Sequence, residues 1–151
     1  MTDRSDRKSS TNNPIVTRST DLGDPNIVET VRREDGVIVT TVSGEADPSS
    51  FEGVRHRVMT ELDGRPACWL LDASRLKKFD REAVEPLVEL LINLKARGGL
   101  RAVVIVSDPS VRMMLSSVSM QSVPSGGLPL ECVESLRAAN IRLRVSVEEA
   151  R

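Results

Sequence analysis

Polar positions dominate the start of the chain, and regular apolar patterns begin only near residue 27. Residues 1–25 are rich in Ser, Thr, Asn and charged side chains and show no sustained apolar period. Such a segment cannot bury enough apolar surface to offset the entropy that it loses on ordering. The pattern therefore predicts a disordered tail over residues 1–25 and a single compact domain over residues 26–151.

Two short β-rich runs open the domain. Residues 27–33 and residues 37–43 are rich in Val, Ile and Thr, and they flank the pair Asp35 and Gly36. An Asp-Gly pair between two such runs is a strong signal for a tight turn. The pattern predicts an N-terminal β-hairpin.

Two Asp-Pro pairs predict where helices begin. Asp47 precedes Pro48, and Asp108 precedes Pro109. Each pair places an N-cap acceptor before a proline that fits the first helical position. The helices predicted after these pairs cover residues 48–62 and 109–120.

Two continuous apolar runs predict central strands that are covered on both faces. They are residues 67–72, ACWLLD, and residues 100–106, LRAVVIV. Residues 73–78 are predicted as a short loop. A second helix is predicted over residues 80–97, and the Gly-Gly pair directly after it is typical of a helix C-terminus.

Pro86 falls inside this second helix. In an uninterrupted helix it would remove the hydrogen bond to the Glu82 carbonyl oxygen, at a cost of about 3 kcal/mol. We therefore expect a distorted or kinked first turn that re-aims residues 80–85.

The C-terminal part completes an alternation of strands and helices. Residues 128–140 are predicted as a short fourth helix, and residues 141–145, IRLRV, as a last strand. Ser146 and Glu149 then have the spacing of a capping box. Strands that alternate with helices in this way predict an α/β layered domain.

Composition and charge narrow the class of protein. With 21 basic residues, 22 acidic residues and 2% aromatic residues, the chain offers neither a strong positive field nor a base-stacking surface. Its apolar runs are far shorter than the roughly 20 residues that span a bilayer, and the first ten residues lack the apolar stretch of a secretory signal. We expect a cytoplasmic protein with no nucleic-acid partner and no membrane span. Cys68 and Cys132 are then expected as free thiols.

Candidate catalytic chemistry is sparse. His56 is the only histidine, and it lies on the helix face opposite Phe51 and Val54 without an evident partner to orient a general base. Cys68 falls in a central strand and Cys132 on a predicted helix, where thiols usually serve as inert packing. The sequence has no metal-ligand spacing, phosphate-binding loop or nucleophile motif. We expect no enzyme activity, no metal and no cofactor.

The second and third helices carry more apolar side chains than one buried face requires. In the second helix Leu90 or Ile92 is left on a flank of the apolar face. Two interpretations remain open for this side chain: burial between neighbouring helices, or contact with a second copy of the chain or with a partner. Met113, Met114 and Met120 cluster in the third helix. Methionine there fits either core packing or an adaptable binding surface.

A motif after the central strand resembles that of the STAS domain, which occurs in bacterial anti-sigma factor antagonists and in the cytoplasmic part of sulphate transporters. In such antagonists the segment reads D-x-S-x-L-x-x-x-D-S-x-G, and Asp72, Ser74, Leu76 and Asp80 match it here. The order of elements is also similar over about residues 27–120. The resemblance implies an α/β fold: a STAS-like mixed β-sheet with an N-terminal β-hairpin and helices packed mainly on one face.

Two positions depart from the antagonist pattern. Arg81 occupies the place of the serine that a partner kinase phosphorylates, Glu82 follows it, and Ala83 stands where glycine is usual. No phosphoacceptor is expected at Arg81, which instead puts a cation at the positive end of the helix dipole at a cost of about 0.3–1 kcal/mol. Asp80 is expected to cap the helix through its carboxylate. The predicted last strand also leaves no room for the long last helix of the family.

The resemblance implies a non-catalytic protein-interaction module in bacterial regulatory signalling. Its partner would be an anti-sigma factor, a histidine-kinase-like switch protein or a larger signalling assembly. The expected partner-binding residues are Ser74, Asp80, Arg81, Glu82, Met113 and Met114. The alternatives are a module that binds a small ligand, nucleotide or lipid, through the loop PSGGLP at residues 124–129, and a small enzyme that depends on His56.

Overall fold

The computed structural model describes the backbone of residues 27–150 and the side chains of residues 28–144. The predicted tail, residues 1–25, lies outside the described residues. The described part contains five strands and four α-helices, which alternate after the first two strands, with 3₁₀ turns at Arg81–Ala83 and Val123–Ser125. The strands are β1 (Ile27–Arg32), β2 (Ile38–Ala46), β3 (Ala67–Phe79), β4 (Gly99–Ile105) and β5 (Leu130–Val133). The helices are α1 (Pro48–Leu62), α2 (Val84–Ala96), α3 (Pro109–Ser122) and α4 (Leu136–Ala150).

The five strands form one mixed sheet in the order β1-β2-β3-β4-β5. β1 is antiparallel to β2, whereas β2 to β5 run parallel to one another. Gly36, in the turn between β1 and β2, has φ of 91°, a left-handed conformation that glycine adopts without steric cost. The predicted hairpin and mixed sheet are therefore confirmed.

Three helices cover one face of the sheet, and α4 covers the other. The main core lies beneath α1, α2 and α3 and includes Trp69 and Leu71 of β3. The second core cluster lies beneath α4 and includes Cys68 and Leu70 of the same strand. Because successive side chains of a strand point to opposite faces, β3 is apolar on both. The prediction of helices packed mainly on one face is confirmed.

Both Asp-Pro pairs start helices, as predicted. The Asp47 carboxylate accepts a hydrogen bond from the Ser50 N–H at 2.9 Å, and the Ser50 hydroxyl oxygen accepts one from the Asp47 N–H. The Asp108 carboxylate accepts hydrogen bonds from the N–H groups of Ser110 and Val111 at 2.9 and 3.1 Å. These bonds satisfy donors that have no acceptor within the first helical turn.

Strand β3 is longer than predicted. Residues 73–78 continue the strand to Phe79, so the predicted short loop is wrong. Beyond Asp72, β3 pairs with β2 through two register shifts, each of which sets an extra β3 residue against β2. Such bulges interrupt the alternation of buried and exposed side chains. Every third residue, starting with Ala73 and Leu76, is buried instead.

The C-terminal elements also differ from the prediction. Leu130–Val133 is a strand and not part of a helix, and residues 141–145 lie in α4 and not in a last strand. Ser146 and Glu149 are inside the same helix, so they do not begin one. α4 has 15 residues, and the expectation that no room remains for a long last helix is wrong.

α4 packs on the sheet through small and branched side chains one turn apart. Ala139 and Leu143 are buried in the second core cluster, and this four-residue spacing places both on one helix face. Ile141, between them in sequence, is 52% exposed. Among the helices of residues 27–150, none combines the length and the apolar character required to cross a bilayer.

Candidate functional site

The residues that match the antagonist motif lie along the second half of β3 and directly after it. The Ser74 N–H and hydroxyl donate hydrogen bonds to Asp72 Oδ1 at 3.1 and 2.7 Å. Leu76 is buried in the core, and the Asp80 N–H donates to the Ala46 carbonyl oxygen of β2 at 2.8 Å. The matched residues therefore hold the end of β3 in place, and Ser74 remains exposed on it.

Asp80 precedes a 3₁₀ turn and not an α-helix. Its backbone is extended and its carbonyl oxygen accepts a hydrogen bond from the Ala83 N–H at 2.9 Å, but its carboxylate makes no capping hydrogen bond. The expected side-chain cap at Asp80 is therefore wrong. Arg81 and Glu82 are exposed in this turn, whereas Ala83 is fully buried. The turn thus exposes the charged side chains of Arg81 and Glu82, while Ala83 anchors it in the core.

Pro86 lies in the first turn of α2, because the α-helix begins only at Val84. First-turn N–H groups have no acceptor within the helix, so a proline at this position removes no helical hydrogen bond. The cost of about 3 kcal/mol that an interior proline carries does not arise here. The expected distortion takes the form of the 3₁₀ turn at Arg81–Ala83.

An open groove of about 890 Å³ runs between α2 and α3. The residues on its α2 side recur at three- and four-residue intervals, as expected for one face of a helix. This side consists of Arg81, Glu82, Val84, Glu85, Val88, Glu89 and Ile92. The α3 side, with the 3₁₀ turn that follows α3, consists of Met114, Ser117, Gln121 and Ser125.

All the ionised side chains of the groove lie on its α2 side. Glu82, Glu85, Glu89 and Arg81 are exposed, and three carboxylates with one guanidinium give a net charge of −2. In the described part of the chain, the ion pairs are formed by other residues. The α3 side of the groove is uncharged. The groove is therefore acidic along one wall only.

The floor of the groove is apolar. Val84 and Val88 are buried in the main core, and Ile92 and Met114 are partly buried against it. Ile92 is thus the flanking residue of α2, whereas Leu90 is fully buried. A ligand in the groove would meet methyl and thioether groups below and carboxylates at one side.

The groove brings together only some of the expected partner-binding residues. Those that line it are Arg81, Glu82 and Met114, and those outside its lining are Ser74, Asp80 and Met113. Met113 and Met120 are 75% and 77% exposed, so of the three methionines only Met114 packs against the core. Sequence reasoning missed Glu85 and Glu89, although acidic residues three and seven positions after Glu82 indicate one acidic helix face.

The glycine-rich loop at residues 124–129 packs closely against α2. A Cβ atom on Gly127 would lie 2.2 Å from Ser122 Oγ and 3.0 Å from the Ile92 backbone nitrogen. The Ser122 hydroxyl in turn donates a hydrogen bond to the Leu128 carbonyl oxygen at 2.8 Å. Close packing therefore explains the glycine at position 127 without a bound phosphate.

The side chains considered for catalysis do not assemble into a site. Cys68 and Cys132 are unpaired, and Cys132 lies on β5, so its placement on a helix was wrong. Burial raises the pKa of both thiols, which disfavours the reactive thiolate. His56 is exposed on α1, as predicted. Among residues 28–144, whose side chains the structure describes, no group of three or more His, Cys, Asp or Glu side chains is arranged to hold a metal ion.

The hairpin, the parallel strands and the distribution of helices define a STAS-like fold. The structure is similar to that of the anti-sigma factor antagonist SpoIIAA in its unphosphorylated form, with 19% sequence identity and a TM-score of 0.55 over 78% of this chain and 97% of that one. It is also similar to an anti-sigma factor antagonist from Mycobacterium paratuberculosis (21% identity, TM-score 0.57, 82% and 99% covered). A third similar structure is a DUF3478-family protein with a SpoIIAA-like fold from Shewanella loihica (15% identity, TM-score 0.55, 84% of this chain and 99% of that one covered). Comparisons with protein-family models and with curated proteins give no match.

Proposed function

We propose that this protein is a non-catalytic protein-interaction module in bacterial regulatory signalling, which acts like an anti-sigma factor antagonist without a phosphorylation switch. Its partner is an anti-sigma factor, a histidine-kinase-like switch protein or a signalling assembly in the cytoplasm. The fold that it shares with anti-sigma factor antagonists supports this class. The observation that carries the proposal is the exposed Arg81 at one end of the groove between α2 and α3.

Arg81 is unfavourable for the stability of the helix start. Arg81 lies in the 3₁₀ turn directly before the positive end of the α2 dipole, where a cation costs at most about 0.3–1 kcal/mol, and the neighbouring Glu82 offsets part of that cost. Arg81 forms no ion pair among the described residues. An exposed guanidinium is well suited to bind a partner carboxylate through two parallel hydrogen bonds. The position therefore fits recognition better than folding.

The start of α2 offers no hydroxyl group to a kinase. Residues 75–106 contain no Ser, Thr or Tyr, and the hydroxyl of the preceding Ser74 is bonded to Asp72. A phosphoserine would bring roughly two negative charges to this position, whereas Arg81 keeps a fixed positive charge. The proposed contact with the partner is therefore constitutive at this position.

The proposed contact extends from the helix start onto α3. Arg81 and Glu82 provide charge recognition, and Met113 and Met114 provide apolar contact, for which the flexible thioether side chain is well adapted. The expected residues Ser74 and Asp80 do not line the groove. Asp80 acts as a scaffold through its backbone hydrogen bonds, since its carboxylate does not cap the turn.

The test is the affinity of the full-length protein for the partner that it retains from extracts of its native host, measured by titration with the purified partner. Arg81→Ser should weaken binding by about 1–3 kcal/mol, the range for a hydrogen bond to a charged group, and raised salt should reduce the difference. Arg57→Ser, which changes an exposed arginine on α1, is the matched control. Equal affinities of the wild type and Arg81→Ser for the partner would exclude the contact.

A further inference from the structure

We infer that the groove between α2 and α3 binds a basic amphipathic helix of the partner, which lies antiparallel to α2. This inference rests on the proposed function, because it specifies the chemistry of the partner segment. It depends on three properties of the groove, namely its length, the side of it that is charged, and the sign of the charge at its end.

The length and floor of the groove fit a short helix. From Arg81 to Ile92 its α2 wall spans one 3₁₀ turn and about two turns of α-helix, or on the order of 18 Å, which a helix of about twelve residues covers. The floor between these residues is formed by Val84, Val88 and Met114. Apolar side chains spaced three and four positions apart on a bound helix would lie along this floor.

The charge of the walls selects a basic segment. Glu85 and Glu89 are one helical turn apart on the α2 wall, and both are exposed. Opposite them, Ser117 and Gln121 of α3 are uncharged. A bound helix with Lys or Arg side chains four positions apart, next to its apolar stripe, would therefore pair with the α2 wall and meet no repulsion from α3.

The end of the groove selects the direction of the bound helix. Arg81 places an exposed cation beside the N-terminus of α2. The C-terminal end of a helix carries unpaired carbonyl groups and a partial negative charge, so it is favoured beside Arg81. A bound helix that ends there runs antiparallel to α2.

The probe is a synthetic helical peptide of fourteen residues with leucines along one stripe and arginines four positions apart beside it, titrated against the full chain. Glu85→Lys with Glu89→Lys should weaken its binding at least about tenfold, since both charge pairs become repulsive. The same double variant should bind a matched peptide with glutamates in place of the arginines more tightly than the wild type does. Glu34→Lys with Glu134→Lys, at exposed positions outside the groove lining, is the control and should leave both affinities unchanged.

The direction is tested with two forms of the same peptide. A free C-terminal carboxylate should bind more tightly than a C-terminal amide, and Arg81→Ser should remove that difference. An N-terminal acetyl group should have little effect in either protein. A preference for the carboxylate that survives Arg81→Ser would overturn the antiparallel arrangement.

Other results identify other occupants and overturn the inference. Absence of peptide binding, or equal loss in the control variant, would show that the groove does not select a basic helix. If the full chain forms a dimer, and the double variant Glu85→Lys with Glu89→Lys is monomeric, the occupant of the groove is a second copy of the chain. Tighter peptide binding after Arg4→Gln, Arg7→Gln and Lys8→Gln together would show that the chain's own N-terminal segment competes for the groove.

The native partner separates this inference from the proposed function. If the partner binds the wild type and loses affinity with Arg81→Ser, but not with Glu85→Lys and Glu89→Lys together, the inference fails and the proposed function stands. If no protein partner binds the wild type, the proposed function fails. The peptide titration then still decides whether the groove accepts a basic helix.

Discussion

Replacing Asp47 and Asp80 separately by alanine compares two helix starts that look alike in sequence. The Asp47 carboxylate accepts hydrogen bonds from the Ser50 N–H at 2.9 Å and from the Ser49 hydroxyl at 2.8 Å. The Asp80 carboxylate makes no capping hydrogen bond. Asp47→Ala should therefore lower the free energy of unfolding by about 1–2 kcal/mol, the cost of a lost N-cap. Asp80→Ala should change it by less than about 0.5 kcal/mol.

The contribution of Asp47 to the free energy of unfolding should also depend on pH. The hydrogen bond from the Ser49 hydroxyl, and then that from the Ser50 N–H, holds the pKa of Asp47 below its ordinary value of 3.8. Because the folded pKa is the lower one, the carboxylate stabilises the fold above pH 3.8 and loses this effect as the pH falls through the folded pKa. The difference between the wild type and Asp47→Ala should therefore shrink in acid.

Urea denaturation of the full chain at neutral pH and at about pH 3 measures both effects. Asp47→Asn retains an acceptor oxygen for the cap, so it should cost less than Asp47→Ala. The difference in free energy of unfolding between Asp47→Asn and Asp47→Ala should not change with pH as an aspartate titrates, because neither variant has a carboxylate at position 47. If Asp80→Ala proves as destabilising as Asp47→Ala, the side chain of Asp80 caps the turn after all, and the assignment of the 3₁₀ turn as uncapped is refuted.

Two further predictions concern burial. Cys68, which is 1% exposed, should react with a thiol reagent only on unfolding, and Cys132 should react more slowly than a free cysteine. The reason is that burial raises the pKa of both thiols. Rapid labelling of Cys68 in the native protein would contradict this. Leu115→Ala, at a fully buried position of α3, should lower the free energy of unfolding by about 2–5 kcal/mol. Met113→Gln, at a 75% exposed position of the same helix, should change it by less than about 0.5 kcal/mol; comparable losses would place Met113 in the core.

The features that could be predicted from the sequence are those fixed by neighbouring residues. The turn at Gly36 and the caps at Asp47 and Asp108 depend on contacts within four positions, so their sequence signals are nearly complete. The central part of β3 was predictable for a related reason. A strand that is covered on both faces is apolar at every position, whichever neighbours it pairs with.

The features that could not be predicted depend on pairing across the sheet. Residues 73–79 are buried at every third position because of bulges against β2, and this period belongs neither to a regular strand nor to a helix. β5 has four residues, too few for a periodic signal. The groove was missed for the same kind of reason, since its walls come from α2 and α3, and only the packing of the two helices places Glu89 in one groove with Ser117 and Gln121.

Two arrangements of charge in the groove disfavour the helix that carries them, although Glu85 in the first turn of α2 also complements the helix dipole. Arg81 opposes the helix dipole at its positive end, and Glu85 and Glu89, four positions apart, repel each other by about 0.2–0.5 kcal/mol. The buried residues Leu87 and Leu91 hold α2 against the core, and that packing does not require any of these charges. A residue that serves folding should lower both stability and partner affinity when it is replaced. Arg81→Ser should instead raise stability by a few tenths of a kcal/mol while it lowers affinity, and this opposition of signs within one variant distinguishes a recognition residue from a structural one.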